Sequence, residues 1–199
     1  LAYLVTTDNP PHAEGGLLIL DVTTPSSPQP VGFAAGIEIP AGLTLSEGYA
    51  YVSDQQFGLR VFDIADPSRP KPVARYDSPG LAMDTAPYGI FLCLADDYAG
   101  LQMLHVFRPE AIGEVGFCDP PAKAWGVAAS EGMAYLADGF SGLQVVDVSD
   151  PTAIAPQATV PMPWAAIGVA LSGDYAYVAA GYAGLHVVDV SDPKAPVDV

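Results

Sequence analysis

The chain has 199 residues, half of them apolar and only 15% charged, which places it among core-forming globular chains and excludes a disordered one. Its 23 acidic and 7 basic side chains leave a formal charge of −16, an acidic surface that repels nucleic acid and anionic lipid, whose phosphates require clustered Lys and Arg. No apolar run approaches the length of a membrane-spanning helix. The 20 glycines and 20 prolines form no low-complexity tract, so they must punctuate many short elements.

In chain order, the first strand-like run is Ala2 to Val5, followed by a long loop to Gly16 that contains His12. From Gly16 onward one phrase recurs. Its best copies are Gly142-Leu143-Gln144-Val145-Val146-Asp147-Val148-Ser149-Asp150-Pro151 and Gly184 to Pro193, with a third at Gly58 to Pro67. Looser copies begin at Gly16 and Gly100, so the leading glycines step by 42 residues throughout. A fixed period of this size marks a repeat architecture.

Each unit reads as four short strands. Gly168 to Leu171 is the first, Ser172-Gly173-Asp174 a tight turn, and Tyr175 to Ala179 an aromatic and β-branched second strand. A Gly-containing loop leads into Leu185 to Val190, and Ser191-Asp192-Pro193 ends it with turn chemistry. A fourth strand is visible at Val73 to Tyr76 and Val115 to Cys118. Four strands per unit without helical periodicity describe β-propeller blades, giving an all-β fold of five units at about 1–40, 41–82, 83–124, 125–166 and 167–199. The run Val145-Val146-Asp147-Val148 is apolar on the successive residues Val145 and Val146 and not strictly alternating, the pattern of a strand buried on both faces, as blades stacked face to face require.

By register, Leu1 to Val5 matches the second strand of a unit and Val199 the start of a fourth strand. The expectation is a part of a longer propeller, or a ring left open and closed by something else. Cys93 and Cys118 fall on strands two apart in one unit, too far for a disulfide. They are expected as separate core residues.

The phrase ending Val145 to Pro151, with Gly126 to Asp138 and Gly168 to Ala180 around it, resembles the LVIVD repeat family along essentially the whole chain. The resemblance implies a β-propeller of bacterial or archaeal cell-surface and secreted proteins, often one module of a larger polypeptide. It transfers no catalytic residue, because the family has no general catalytic motif. Neither the dipeptides of WD40 repeats nor the paired glycines of kelch repeats recur here.

If strands run outward from the axis, the second-to-third and fourth-to-first loops share one face. That face collects Tyr98, Trp125, Phe140, Trp164 and Tyr182, the candidate anchors for a protein partner. For the two tryptophans, plugging the central channel is the competing role.

The recurrent Asp63, Asp147 and Asp189, and Asp66, Asp150 and Asp192 before prolines, read as turn-holding residues. The unit near 84–120 departs most from the pattern. Asp84 replaces a glycine, and His105, Phe107 and Arg108 replace Asp, Ser and Asp. Asp84, Asp96 and Asp97 are candidate ligands for Ca²⁺, although calcium needs more oxygens than one blade supplies.

No haem, phosphate-loop or nucleophile-elbow motif is present. The expected function is a non-catalytic extracytoplasmic module, without cofactor, for protein–protein interaction or surface assembly. The alternative is a metal-dependent hydrolase or lactonase with its site over the channel, for which Asp77, Asp84, Asp119 and Asp138 are the starting set.

Overall fold

The computed structural model describes residues 1–7 and 14–199, so His12 and most of the long first loop lie outside the described residues. Five antiparallel sheets follow one another. The first holds β1 (Ala2–Thr6), β2 (Gly16–Asp21) and β3 (Gln29–Ala35). The second holds β4 (Gly42–Ser46), β5 (Tyr49–Ser53), β6 (Leu59–Asp63) and β7 (Lys71–Tyr76), and the third β8 (Asp84–Tyr88), β9 (Phe91–Ala95), β10 (Leu101–His105) and β11 (Gly113–Cys118). The fourth holds β12 (Gly126–Ser130), β13 (Met133–Ala137), β14 (Leu143–Asp147) and β15 (Ala155–Val160), and the fifth β16 (Gly168–Ser172), β17 (Tyr175–Ala179), β18 (Leu185–Asp189) and β19 (Val197–Asp198).

Within every sheet each strand pairs with its neighbour in sequence, the simple meander of a propeller blade. The first strands β4, β8, β12 and β16 pack one against the next, which sets them side by side at the axis. Among the described residues the five sheets are not closed into a ring. Among the described residues no helix is long and apolar enough to cross a membrane.

The leading glycine of the repeated phrase has a steric cause. Gly58, Gly100 and Gly142 all have positive φ, and a Cβ on Gly142 would collide with the Val160 carbonyl oxygen of the neighbouring strand. Further along, the register of the third and fourth strands slips once in each of the first four blades, at Ile19/Leu20, Val61/Phe62, Met103/Leu104 and Val145/Val146. A bulge at the same place in these four blades adds the same extra twist to each.

Four apolar clusters make the core, and each lies between two successive blades. In the cluster between the fourth and fifth, Tyr135, Ala137, Leu143 and Val145 of one meet Ala176, Val178, Val188 and Val190 of the other. Alternate residues on one strand therefore face opposite neighbours. Val145 points forward and Val146 points back, into the cluster shared with the third blade. This is why the strands read as continuous apolar runs.

Cys93 and Cys118 are both free and buried in the third blade's forward cluster, as separate core residues. Burial pushes the Cys93 thiol up to about 12, so it is inert as a nucleophile at neutral pH.

Leu101 is fully buried in a blade interface and Phe117 is largely exposed on the same sheet. Leu101→Ala is expected to lower the unfolding free energy by about 2–5 kcal/mol. Phe117→Ala is expected to change it by no more than about 0.5 kcal/mol. Urea denaturation of the two variants checks the contrast.

Candidate functional site

The repeated aspartates hold turns. Asp21, Asp63, Asp147 and Asp189 each accept the backbone N–H two residues on, at 2.8, 2.9, 2.9 and 3.0 Å. Asp66, Asp150 and Asp192 do the same at 3.0 Å. Hydrogen bonds from Ser149 to Asp147, and from Thr152 to Asp150, hold these carboxyls below the usual carboxylate range.

On the opposite face, the second-to-third loops of the second, third and fourth blades each lie against the loop that enters the same blade. Paired backbone bonds join Gln55 to Ala82, Asp97 to Ala124 and Gly139 to Ala166, linking each loop to the one that enters the following blade. A second recurrent aspartate, at the head of this loop, fastens the entry loop of its own blade. Asp54 accepts the N–H groups of Glu38 and Ile39 at 2.9 and 2.6 Å, Asp96 that of Gly80 at 2.9 Å, and Asp138 that of Ala122 at 3.1 Å. All three aspartates are fully buried. Asp54 also meets the Arg60 guanidinium at 2.6 Å.

Where Arg60 stands, the next two blades carry Gln102 and Gln144, whose amides donate to the Ala99 and Ser141 carbonyls. Asp96 and Asp138 thus have no cation, and one oxygen of each lacks a hydrogen-bond partner. Burial raises both carboxyls, Asp138 to about 6. The 42-residue step from Asp54 to Asp96 to Asp138 was present in the sequence as a signal, but Asp54 was not singled out.

The second-to-third loops of the third, fourth and fifth blades carry candidate aromatics at their tips. Tyr98, Phe140 and Tyr182 are one repeat apart and are 72%, 73% and 93% exposed. Trp164, from the loop entering the fifth blade, sits between two of them. Its ring centroid is 5.9 Å from that of Phe140 and 5.3 Å from that of Tyr182, edge to face in both cases. The three rings form one exposed aromatic surface across the fourth and fifth blades.

Tyr98 belongs to a different group. The Lys123 ammonium lies 4.0 Å from its ring centroid and 3.3 Å from Asp97. Trp125 Nε1–H donates to Asp97 at 3.2 Å, and Trp125 is half-buried. The two tryptophans, equivalent in the sequence reading, are separated by the structure. Trp164 is exposed against other rings, whereas Trp125 is tied by its N–H to a neighbouring loop.

The three calcium candidates are each engaged by protein donors. Asp84 accepts the N–H of Val127 at 3.1 Å and of Thr85 at 2.9 Å, so it joins the innermost strands of two blades. Burial raises its pKa. Asp96 holds Gly80, and Asp97 is paired with Lys123 and Trp125. The structure does not bring these three together as a ligand set. Among the described residues, no three of His, Cys, Asp and Glu are placed to hold a metal ion.

The divergent third blade shapes the other face instead. Tyr49, Ile90, Phe107 and Glu47 line a cleft of about 570 Å³ between the second and third blades. His105 sits among Phe91 and Phe107, 6.3 and 6.4 Å between ring centroids.

The LVIVD repeat model matches residues 12–33, 41–78, 121–158 and 165–199. No curated protein matches the chain. Among solved structures, it is similar to a functionally unknown protein from Desulfotomaculum acetoxidans DSM 771, at 12% identity and a TM-score of 0.76, covering 92% of this chain and 62% of that one. It is also similar to the computationally designed Ika8 protein, at 9% identity and a TM-score of 0.71, covering 93% and 54%. The designed Ika4 protein matches at 9% identity and a TM-score of 0.66, over 80% and 96%. The chain spans 62% of the length of the first of these chains and 54% of the second. At such identities the likeness concerns the fold.

A pH dependence follows from Asp138. Its folded pKa of about 6 lies above the ordinary 3.8, so the folded state holds the proton more tightly. The stability this confers is present below the ordinary value and is lost as pH rises through about 6. Asp138→Asn keeps an oxygen for the Ala122 N–H and removes the charge. Melting temperatures between acid and neutral pH should fall less steeply for this variant than for the parent.

Proposed function

Because the chain belongs to the LVIVD-repeat family, we propose that it is a non-catalytic, extracytoplasmic β-propeller module that binds another protein through its latched loop face. The observation that carries this reading is the exposed surface of Phe140, Trp164 and Tyr182. Rings of this kind supply large, rigid contact area at little conformational cost, and Trp and Tyr dominate the energetics of protein interfaces. The edge-to-face contacts hold the three side chains in place before a partner arrives, which lowers the entropy lost on binding. The Phe140 loop is fastened by the buried Asp138 to the Ala122 N–H, and Tyr182 rests on Trp164.

The acidic surface selects further. With a formal charge of −16, the chain attracts a partner with a basic rim and repels an acidic one. Export from the cytoplasm rests on the family's association with surface and secreted proteins.

A photo-crosslinking residue placed at Phe140 or Tyr182 in producing cells tests both halves. Adducts with a protein partner are expected at these two positions and not at Phe107, which is exposed on the other face. The triple variant Phe140→Ala, Trp164→Ala, Tyr182→Ala should lose the partner while melting within a few degrees of the parent. Labelling in intact cells by a membrane-impermeant reagent reports the compartment. Equal adducts at all three positions would remove the loop face from the reading.

A further inference from the structure

The second blade carries two arginines that the third lacks, while the third keeps the carboxylates they serve. In the second blade Arg60 meets Asp54 at 2.6 Å and lies 5.9 Å from the centre of the Phe57 ring. Beside it on the next strand, Arg75 pairs with Asp77. One repeat on, Asp54 and Asp77 become Asp96 and Asp119, but Arg60, Arg75 and Phe57 become Gln102, Phe117 and Ala99. Glu114 adds a third carboxylate where the second blade has Pro72. Among the described residues no cation lies within ion-pair distance of Asp96, Glu114 or Asp119.

The place of the larger side chains is open. A cavity of about 320 Å³ is walled by Tyr98, Ala99, Gln102, Glu114, Phe117 and Asp119, at the small end of the range for ligand sites, roughly 300–1,000 Å³. Two of the shortened residues, Ala99 and Gln102, thus line the space. Gln102 is 3% exposed, its amide nitrogen donates to the Ala99 carbonyl at 2.7 Å, and its Oε1 has no hydrogen-bond partner. In the fourth blade the same oxygen is satisfied. Gln144 Oε1 accepts from the Thr159 hydroxyl at 2.7 Å, and Thr159 holds the strand position that Phe117 takes in the third blade. The fourth blade also has Pro156 and Pro161 where the third has Glu114 and Asp119. Of these three blades, the third alone combines an orphaned acceptor with uncompensated carboxylates.

We propose that this cavity binds a guanidinium group, the side chain of an arginine on a partner, which supplies from outside the cation that Arg60 supplies within the second blade. A guanidinium carries five N–H donors in a planar fork and stacks on aromatic faces. It therefore suits Gln102 Oε1, Glu114 and Asp119 together with the exposed ring of Phe117. A lysine ammonium has neither the fork nor the flat surface. The chain's own nearby cation, Lys123, is engaged with Asp97 and the Tyr98 ring, and Glu114 accepts only a 3.4 Å hydrogen bond from Tyr76. The site shares no residue with the surface of Phe140, Trp164 and Tyr182, so each stands or falls without the other.

Titration of Nα-acetyl-arginine methylamide into the 199-residue chain, followed by backbone amide NMR shifts, is the test. Saturable shifts are expected at Ala99, Gln102 and Phe117, and added salt should weaken the binding. The lysine analogue should bind more weakly. Asp119→Asn should weaken arginine binding by about two- to fivefold, the scale of a partly exposed ion pair. Gln102→Arg installs the second blade's own cation, so it should abolish binding while melting no lower than the parent. Absence of shifts overturns the proposal, as do shifts spread over the acidic surface instead of these residues. Equal affinity for the two analogues, or full binding by folded Gln102→Arg, overturns it too. Should Gln102→Arg melt below the parent, the double variant Glu114→Gln, Asp119→Asn decides, and unchanged affinity there overturns the site.

Discussion

The fold rests on burial between blades. Among the described residues no sheet has a core of its own, and each apolar cluster is shared by two neighbours. Fully burying one leucine contributes roughly 1.5–3 kcal/mol, and each interface buries several such side chains at once. A blade therefore derives its order from its neighbours, as in other repeat proteins. The strand chemistry follows directly. Strands such as Leu143–Asp147 must be apolar on both faces, because one face meets the blade before and the other the blade after.

A second, polar constraint ties the loops together. A buried aspartate at the head of the second-to-third loop holds the backbone of the loop that brings the chain into the same blade. Two residues later comes the exposed tip, Tyr98 after Asp96 and Phe140 after Asp138. The fifth blade has Ala180 in place of the aspartate and forms a short 3-10 turn at Gly181–Ala183 before Leu185. Its tip residue Tyr182 leans on Trp164 instead. Polar latching and aromatic contact are two solutions to one requirement, a loop rigid enough to present a ring to solvent. The latches also introduce unpaired carboxylate oxygens at Asp96 and Asp138, which only Asp54 avoids in full by pairing with Arg60.

Much of this was legible in the residues. Asp63 and Asp147 read as turn-holders because an Asx turn needs only the next two residues. The latch at Asp54 was not read, although its 42-residue spacing from Asp96 and Asp138 was available, because its partners Glu38 and Ile39 belong to a loop that starts in another blade. Asp84 was singled out as a substituted glycine, and its carboxylate proves to hold Val127, 43 residues away. Trp125 and Trp164 could not be told apart by sequence, since the Asp97 that binds one and the Phe140 that meets the other lie in separate loops.

Period, strand count and turn chemistry were determined by the sequence alone, because a 42-residue repeat of local signals needs no distant partner to be recognised. The tertiary structure alone decided which carboxylates are latched, which rings are exposed, and which apolar faces remain uncovered. Those properties depend on the identity of the neighbouring blade. Leu143 and Leu185 occupy the same place in the repeat, and only the blade packed beyond the first makes one of them core and the other surface.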